Sequence, residues 1–163
     1  MYWYIIHMHT GRQRLLIKFF SLQANIKAFV PKVEIWQYPS GYTVQELLSD
    51  LVFIKSNQNK EMIERHYKAF FKSIQGFDQM LAFDHIYALN APGQALMDQL
   101  FGNDEVIRHS VSDQQLHVIE GPLQGLEKWI IRFNENKKQA VLDFMIDSDH
   151  LTVPLEIMGV LDS

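Results

Sequence analysis

The side chains with the widest chemical range in this chain are its histidines. His7 and His9 alternate along an apolar stretch, which puts two imidazoles on one face of a strand, and His66, His85, His109, His117 and His150 supply further nitrogen donors. Two imidazoles at i and i+2 are half of a zinc site, but no third ligand recurs at a spacing that completes it, so no metal and no cofactor are expected. The chain has no cysteine, which excludes disulfide scaffolds, thiolate metal sites and thiol nucleophiles. No hydroxyl or carboxylate falls into a nucleophile, base and orienter set, so an enzyme is not expected either. The second chemistry is cationic. Arg12, Arg14, Lys18, Lys27 and Lys32 all precede Glu34, the first acidic residue, and a front loaded in this way suits contact with phosphate.

These groups need elements to carry them. With 163 residues, 47% of them hydrophobic and 12% aromatic, the chain can bury the core of one ordinary domain or two small ones. No run approaches the eighteen or so apolar residues of a membrane helix, and the N-terminus lacks a leader pattern, so a cytoplasmic protein is expected. The net charge of −4 is uneven: residues 1 to 107 hold ten basic and ten acidic side chains, and residues 108 to 163 hold five and nine. An acidic C-terminal part argues against broad phosphate binding there.

Tyr2 to Met8 is aromatic and β-branched on both faces, as in a central strand. Thr10-Gly11 breaks it, and Leu15, Phe19 and Leu22, with Leu16 and Phe20, recur at helical spacing while Arg12, Arg14 and Lys18 take another face. Ile26 to Val30 reads as a short strand stopped by Pro31, Val33 to Tyr38 as extended chain, and Leu47 to Ile54 as the next strand. Asn57 or Asn59 can cap a helix carrying Met62, Ile63, His66, Tyr67 and Phe70 on one side, Met80 to Ile86 reads as a strand, and Asn90-Ala91-Pro92 opens a last helix that ends at Gly102. Strands interleaved with helices predict an α+β fold with helices packed on a largely antiparallel sheet. Beyond a boundary between about 103 and 113 the period becomes two: Leu116 and Val118, then Trp129, Ile131 and Phe133, then Leu142, Phe144 and Ile146, then Leu151 and Val153. Four or five short strands in so few residues predict a small closed barrel.

Three segments together resemble one family. Trp3-Tyr4-Ile5-Ile6 followed by Thr10-Gly11, then Ala28-Phe29-Val30-Pro31-Lys32, then Val118-Ile119-Glu120-Gly121-Pro122-Leu123-Gln124-Gly125-Leu126-Glu127 are similar, in that order, to the motifs of NusG-family transcription factors. Leu47 to Ile54 keeps the hydrophobic pattern of the family's third strand but lacks its Pro, Gly and Tyr, and Ile74-Gln75-Gly76-Phe77 lacks a proline that the family usually has there. Such departures resemble specialised paralogues, most of all the LoaP type, with the RfaH and UpxY types alongside.

The resemblance implies residues 1–105 as an NGN-type α/β sandwich and 106–163 as an SH3-like KOW barrel. It implies a monomeric factor that is not an enzyme, binds the clamp helices of the largest bacterial RNA polymerase subunit, and promotes processive transcription or antitermination of selected operons. The polymerase-binding side chains it implies are Tyr4, His7, Leu51 and Phe53. Contact with non-template DNA or nascent RNA falls to His9, Thr10, Arg12, Arg14 and Lys18, and contact of the KOW domain with a ribosomal protein or termination factor to Leu123, Met145 and Ile146. The alternative is a ribosome-associated or general RNA-binding KOW protein, for which Lys137 and Lys138 at a hairpin tip are the opening.

Overall fold

The computed structural model describes residues 1–7, 13–48, 50–75, 86–146 and 148–159. They form a mixed α+β structure whose chain divides into two compact units, one made of 1–31 and 47–95, the other of 32–46 and 96–163. These units are discontinuous, whereas the sequence leads one to expect a single cut after residue 105. The hairpin-forming segment 32–46 is inserted in the first unit's sequence but belongs to the second unit.

In the first unit, β1 (Tyr2–His7), β2 (Ile26–Phe29), β5 (Leu51–Ser56) and β6 (Ile86–Ala88) form one sheet in the order β2-β5-β1-β6, every pairing antiparallel. Central β1 is apolar on both faces because both are buried, as its composition predicts. One face carries Tyr4, Ile6, Ala28, Val52, Ile54 and Ile86 into a core with Leu16 and Phe20 of α1 (Gln13–Ser21) and Ile63, Tyr67 and Phe71 of α2 (Lys60–Gln75). Asn59 caps α2, its Oδ1 accepting the Met62 N–H at 2.9 Å. The period of α1 is as expected but its phase is not. Gln13, Leu16 and Phe20 are buried, whereas Leu15 is 49% exposed and Leu22 79% exposed, because adjacent apolar pairs leave two stripes of equal spacing and only the sheet selects one. The expected strand over 47–54 starts later, at Leu51, and of the stretch expected as a strand over 80–86 only Ile86 lies among the described residues.

The second unit holds two sheets. β3 (Lys32–Gln37) and β4 (Gly41–Glu46) form a hairpin, with β3 also pairing in parallel with β7 (Val106–Ile107). The other sheet runs β10-β11-β12-β8-β9, built from β8 (Ser110–Ser112), β9 (Val118–Glu120), β10 (Ile130–Asn134), β11 (Gln139–Ile146) and β12 (Asp149–Ile157). The expected closed barrel is not present: among the described residues this sheet is open, with β10 and β9 at its edges. Closure needs strands long enough to stagger around an axis. Here β9 has three residues before Gly121 turns it, and the β10–β11 register shifts between Ile130 and Arg132. Leu142, Ile146, Leu151 and Val153 are buried as their alternation predicts, but Ile131 points to solvent from the β10 edge. Helix α3 (Ala91–Phe101) is capped by Asn90, whose Oδ1 accepts the Gly93 N–H, and stops at Gly102 with φ +58°.

Candidate functional site

The face of the four-stranded sheet opposite α1 and α2 is a grid set by strand register. Lys27, Lys55 and Trp3 make one row, Phe29, Phe53, Ile5 and Tyr87 the next, and Leu51 and His7 the third. Trp3, Phe29 and Phe53 meet edge to face in a triangle with ring centroids 6.0, 6.4 and 6.1 Å apart. Lys55 Nζ lies 5.4 Å above Trp3 and Lys27 Nζ 5.7 Å above Phe29, so two ammonium groups that face each other across the β2–β5 ladder each rest on a π-face. At the far end, His7 Nδ1 is 3.7 Å from Asp50 Oδ2 and its ring meets that of Tyr87 edge on. The grid therefore has a buried aromatic centre, a cationic margin and a rim of partly exposed His7, Asp50 and Tyr87.

Of the four side chains implied as polymerase contacts, His7, Leu51 and Phe53 share this face and Tyr4 does not. Strand alternation turns Tyr4 toward the helices, where its hydroxyl donates to the Gln58 carbonyl at 2.6 Å; burial, aided by the nearby Tyr2 and Glu64, pushes the phenol up to about 12. Leu51 and Phe53 are 0% and 1% exposed, so His7 is the member of the set reachable in this conformation. Asp50 and Tyr87 complete the rim without having been singled out by the sequence; a His-Asp-Tyr group becomes visible only once three strands are paired.

On α1, Arg14 and Lys18 are exposed at i and i+4, while His9, Thr10 and Arg12 lie outside the described residues. In the second unit, Leu123 and Ile146 are buried and Met145 is half exposed, so these three do not make a continuous exposed strip. The Gly-Pro segment is instead a tightly held connection. Ser110 Oγ accepts the Leu123 N–H, and Gln99 Nε2 donates to the carbonyls of Pro122 and Gln124. Glu127 accepts the Val118 N–H at 3.0 Å, and its own backbone N–H together with that donor holds its carboxyl below the usual range.

A further set in that unit escaped the sequence reading. Glu34 Oε1 accepts the His109 N–H at 2.8 Å and meets the ring Nδ1 at 3.1 Å, and that ring stacks on Tyr42 at 4.0 Å. Tyr42 meets Trp36, and Lys138 Nζ sits 3.9 Å above Trp36 while 3.5 Å from Glu156. Lys138, counted as an RNA contact in the alternative reading, is thus committed within the unit. The signal was Trp36 and Tyr42 flanking Pro39-Ser40-Gly41, an aromatic pair at cross-strand spacing.

The side chains of the grid offer cations on rings, hydrogen bonds and apolar contact. Among the described residues no three His, Asp or Glu side chains converge as metal ligands, and no helix is long and apolar enough to cross a membrane. No protein-family model matches the chain, and no curated protein matches it.

Proposed function

We propose that this chain is a NusG-type transcription elongation or antitermination factor of a specialised kind, combining an NGN-like first part with a KOW-like second part. In this reading it binds the clamp helices of bacterial RNA polymerase and promotes processive transcription of selected operons. The observation that carries the reading is the ordered set Trp3-Tyr4-Ile5-Ile6, Ala28-Phe29-Val30-Pro31-Lys32 and the Gly121-Pro122 to Glu127 segment along one chain. The arrangement of the first sheet is in keeping with it: the two N-terminal motif strands, β1 and β2, both pair with β5, and helices take one face. Polymerase would approach the opposite face at His7, Asp50 and Tyr87, and contact through Leu51 and Phe53 requires those side chains to be uncovered first.

A general RNA-binding role is disfavoured by the internal pairing of Lys138 and by the acidic C-terminal part. The test is co-elution of the full chain with core RNA polymerase, competed by an excess of the isolated clamp-helix region, followed by transcription across an intrinsic terminator. Binding that the competitor removes and that His7→Ala weakens, together with increased read-through, is expected. Absence of co-elution would overturn the proposal. Phe53→Asp is a poor probe, since a carboxylate among Trp3, Phe29 and Phe53 would disturb the fold itself.

A further inference from the structure

We infer that the outer seam between α1 and α2 docks an acidic amphipathic helix of another protein. Leu15 and Phe19 lie at i and i+4 on one face of α1, with Leu22 in the turn that follows the helix, and this face is distinct from the Leu16 and Phe20 stripe that enters the core. Leu15 and Leu22 are exposed, and Phe19 stacks flat on Phe70 of α2 with centroids 3.5 Å apart, flooring the seam with two rings. Met62, exposed and two turns before Phe70, extends the apolar surface along α2.

Among the described residues, the charge left uncompensated on these two helices is positive. Arg14 and Lys18 follow the Leu15 and Phe19 face on α1, which has no acidic residue. The two carboxylates of α2, Glu61 and Glu64, are each engaged within their own helix by Arg65 and Lys60, leaving Lys68 and Lys72 as its excess. An apolar stripe with cationic margins complements a helix bearing leucine-like anchors at i, i+4 and i+7 with carboxylates beside them. A second copy of the chain is disfavoured, because two such margins repel. Nucleic acid uses cations and π-faces and gains nothing from two exposed leucines. A bilayer surface calls for a broad apolar face, and α1 has nine residues with its other side fixed in the core. This inference does not rest on the polymerase reading, which concerns the opposite face of the sheet.

The test uses the full chain and a synthetic helical peptide of about four turns with leucines at i, i+4, i+7 and i+11 and glutamates on both margins. The controls are the same peptide with lysine margins, a single-stranded oligonucleotide, and phosphatidylglycerol vesicles. Amide shifts confined to Gln13–Leu22 and Met62–Ser73 are expected, saturating with a Kd of about 10–100 μM, as for a small interface. The double variant Leu15→Ser, Leu22→Ser should weaken the glutamate peptide by about tenfold or more while leaving oligonucleotide binding unchanged. Arg14→Glu with Lys18→Glu should exchange the preference, favouring the lysine peptide. Four results would overturn the inference: no saturable shift up to about 1 mM, shifts elsewhere on the chain, equal binding of the lysine peptide, or loss of oligonucleotide or vesicle binding in the leucine variant equal to the loss for the peptide.

Discussion

Gly121 shows how much one hydrogen atom in place of a methyl can decide. Its φ is +99°, and a Cβ there would stand 2.6 Å from Ser110 Cα, 2.7 Å from Ser110 Oγ and 2.8 Å from the His109 carbonyl oxygen. Gly125, four residues on, has φ +81° and open space around it. Gly121→Ala therefore combines backbone strain with a clash against backbone and should destabilise by about 3 kcal/mol or more, whereas Gly125→Ala carries strain alone and should cost about 1 kcal/mol. Urea unfolding of the two variants measures the difference, and equal losses would contradict the close approach to Ser110. A second test at this scale concerns Tyr4, whose phenol is raised from 10.0 to about 12, chiefly by burial. The fold favours the neutral form, so the stability this contributes is complete below pH 10 and is lost as pH rises toward 12. Tyr4→Phe should lose about 1 kcal/mol near neutrality, through the missing hydrogen bond to the Gln58 carbonyl, and should unfold with a shallower dependence on pH between 10 and 12. The turn at Gly121-Pro122 was legible from residue types, but the reason for its glycine was not, because Ser110 stands eleven positions away and only strand pairing brings it close.

Elements whose stability comes from an apolar face were legible, and elements held by polar or aromatic contacts were not. Both faces of β1, the cap of α2 and the start and stop of α3 follow from composition and punctuation, but of the stripe expected on α2 only Ile63 and Tyr67 enter the core, with Phe71, while Met62 and His66 are exposed. Strand β4 escaped because Gly-Tyr-Thr-Val-Gln-Glu shows no buried alternation; its residues are half-buried at best and Val44 is exposed. A two-stranded ribbon of this composition is marginal alone. It persists here through the parallel pairing of β3 with β7 and through the Glu34 to His109 hydrogen bonds. Glu34→Ala removes acceptors for both a backbone and a ring donor, and should cost about 1.5–3 kcal/mol, the range of hydrogen bonds to a charged group. Amide exchange is the sharper readout: faster exchange concentrated in β3, β4 and β7, with β1 and β5 unchanged, is expected, and uniform acceleration would show that the hairpin is not a separately weighted part.

For the molecule as a whole, the three-dimensional division redistributes charge more sharply than a cut at the expected domain boundary near residue 107. The unit formed by 1–31 and 47–95 holds nine basic and five acidic residues, and that formed by 32–46 and 96–163 holds six and fourteen. Cut near residue 107 the two parts are neutral and acidic; divided as the chain packs, one is cationic and the other strongly anionic. The shift comes mostly from 96–107, where Asp98, Asp104 and Glu105 have no accompanying cation, and for the rest from Lys32 to Glu46, which leaves the unit in whose sequence it lies and takes two carboxylates and one lysine with it. An anionic unit repels phosphate over roughly a Debye length, about 10 Å at 0.1 M salt, so any nucleic-acid affinity must come from the cationic unit. Arg14 and Lys18 are exposed there on one face of α1. If each neutralises one phosphate of a single strand, the slope of log K against log salt changes by about 0.7 for each cation removed. Arg14→Gln with Lys18→Gln should therefore flatten that slope by about 1.4 in fluorescence-anisotropy titrations with a single-stranded oligonucleotide. The paired control, Lys137→Gln at the β10–β11 turn of the anionic unit, should leave the slope within error. An unchanged slope in the α1 variant, or an equal fall in the control, would place the phosphate contacts elsewhere and separate the charge of the unit from its use.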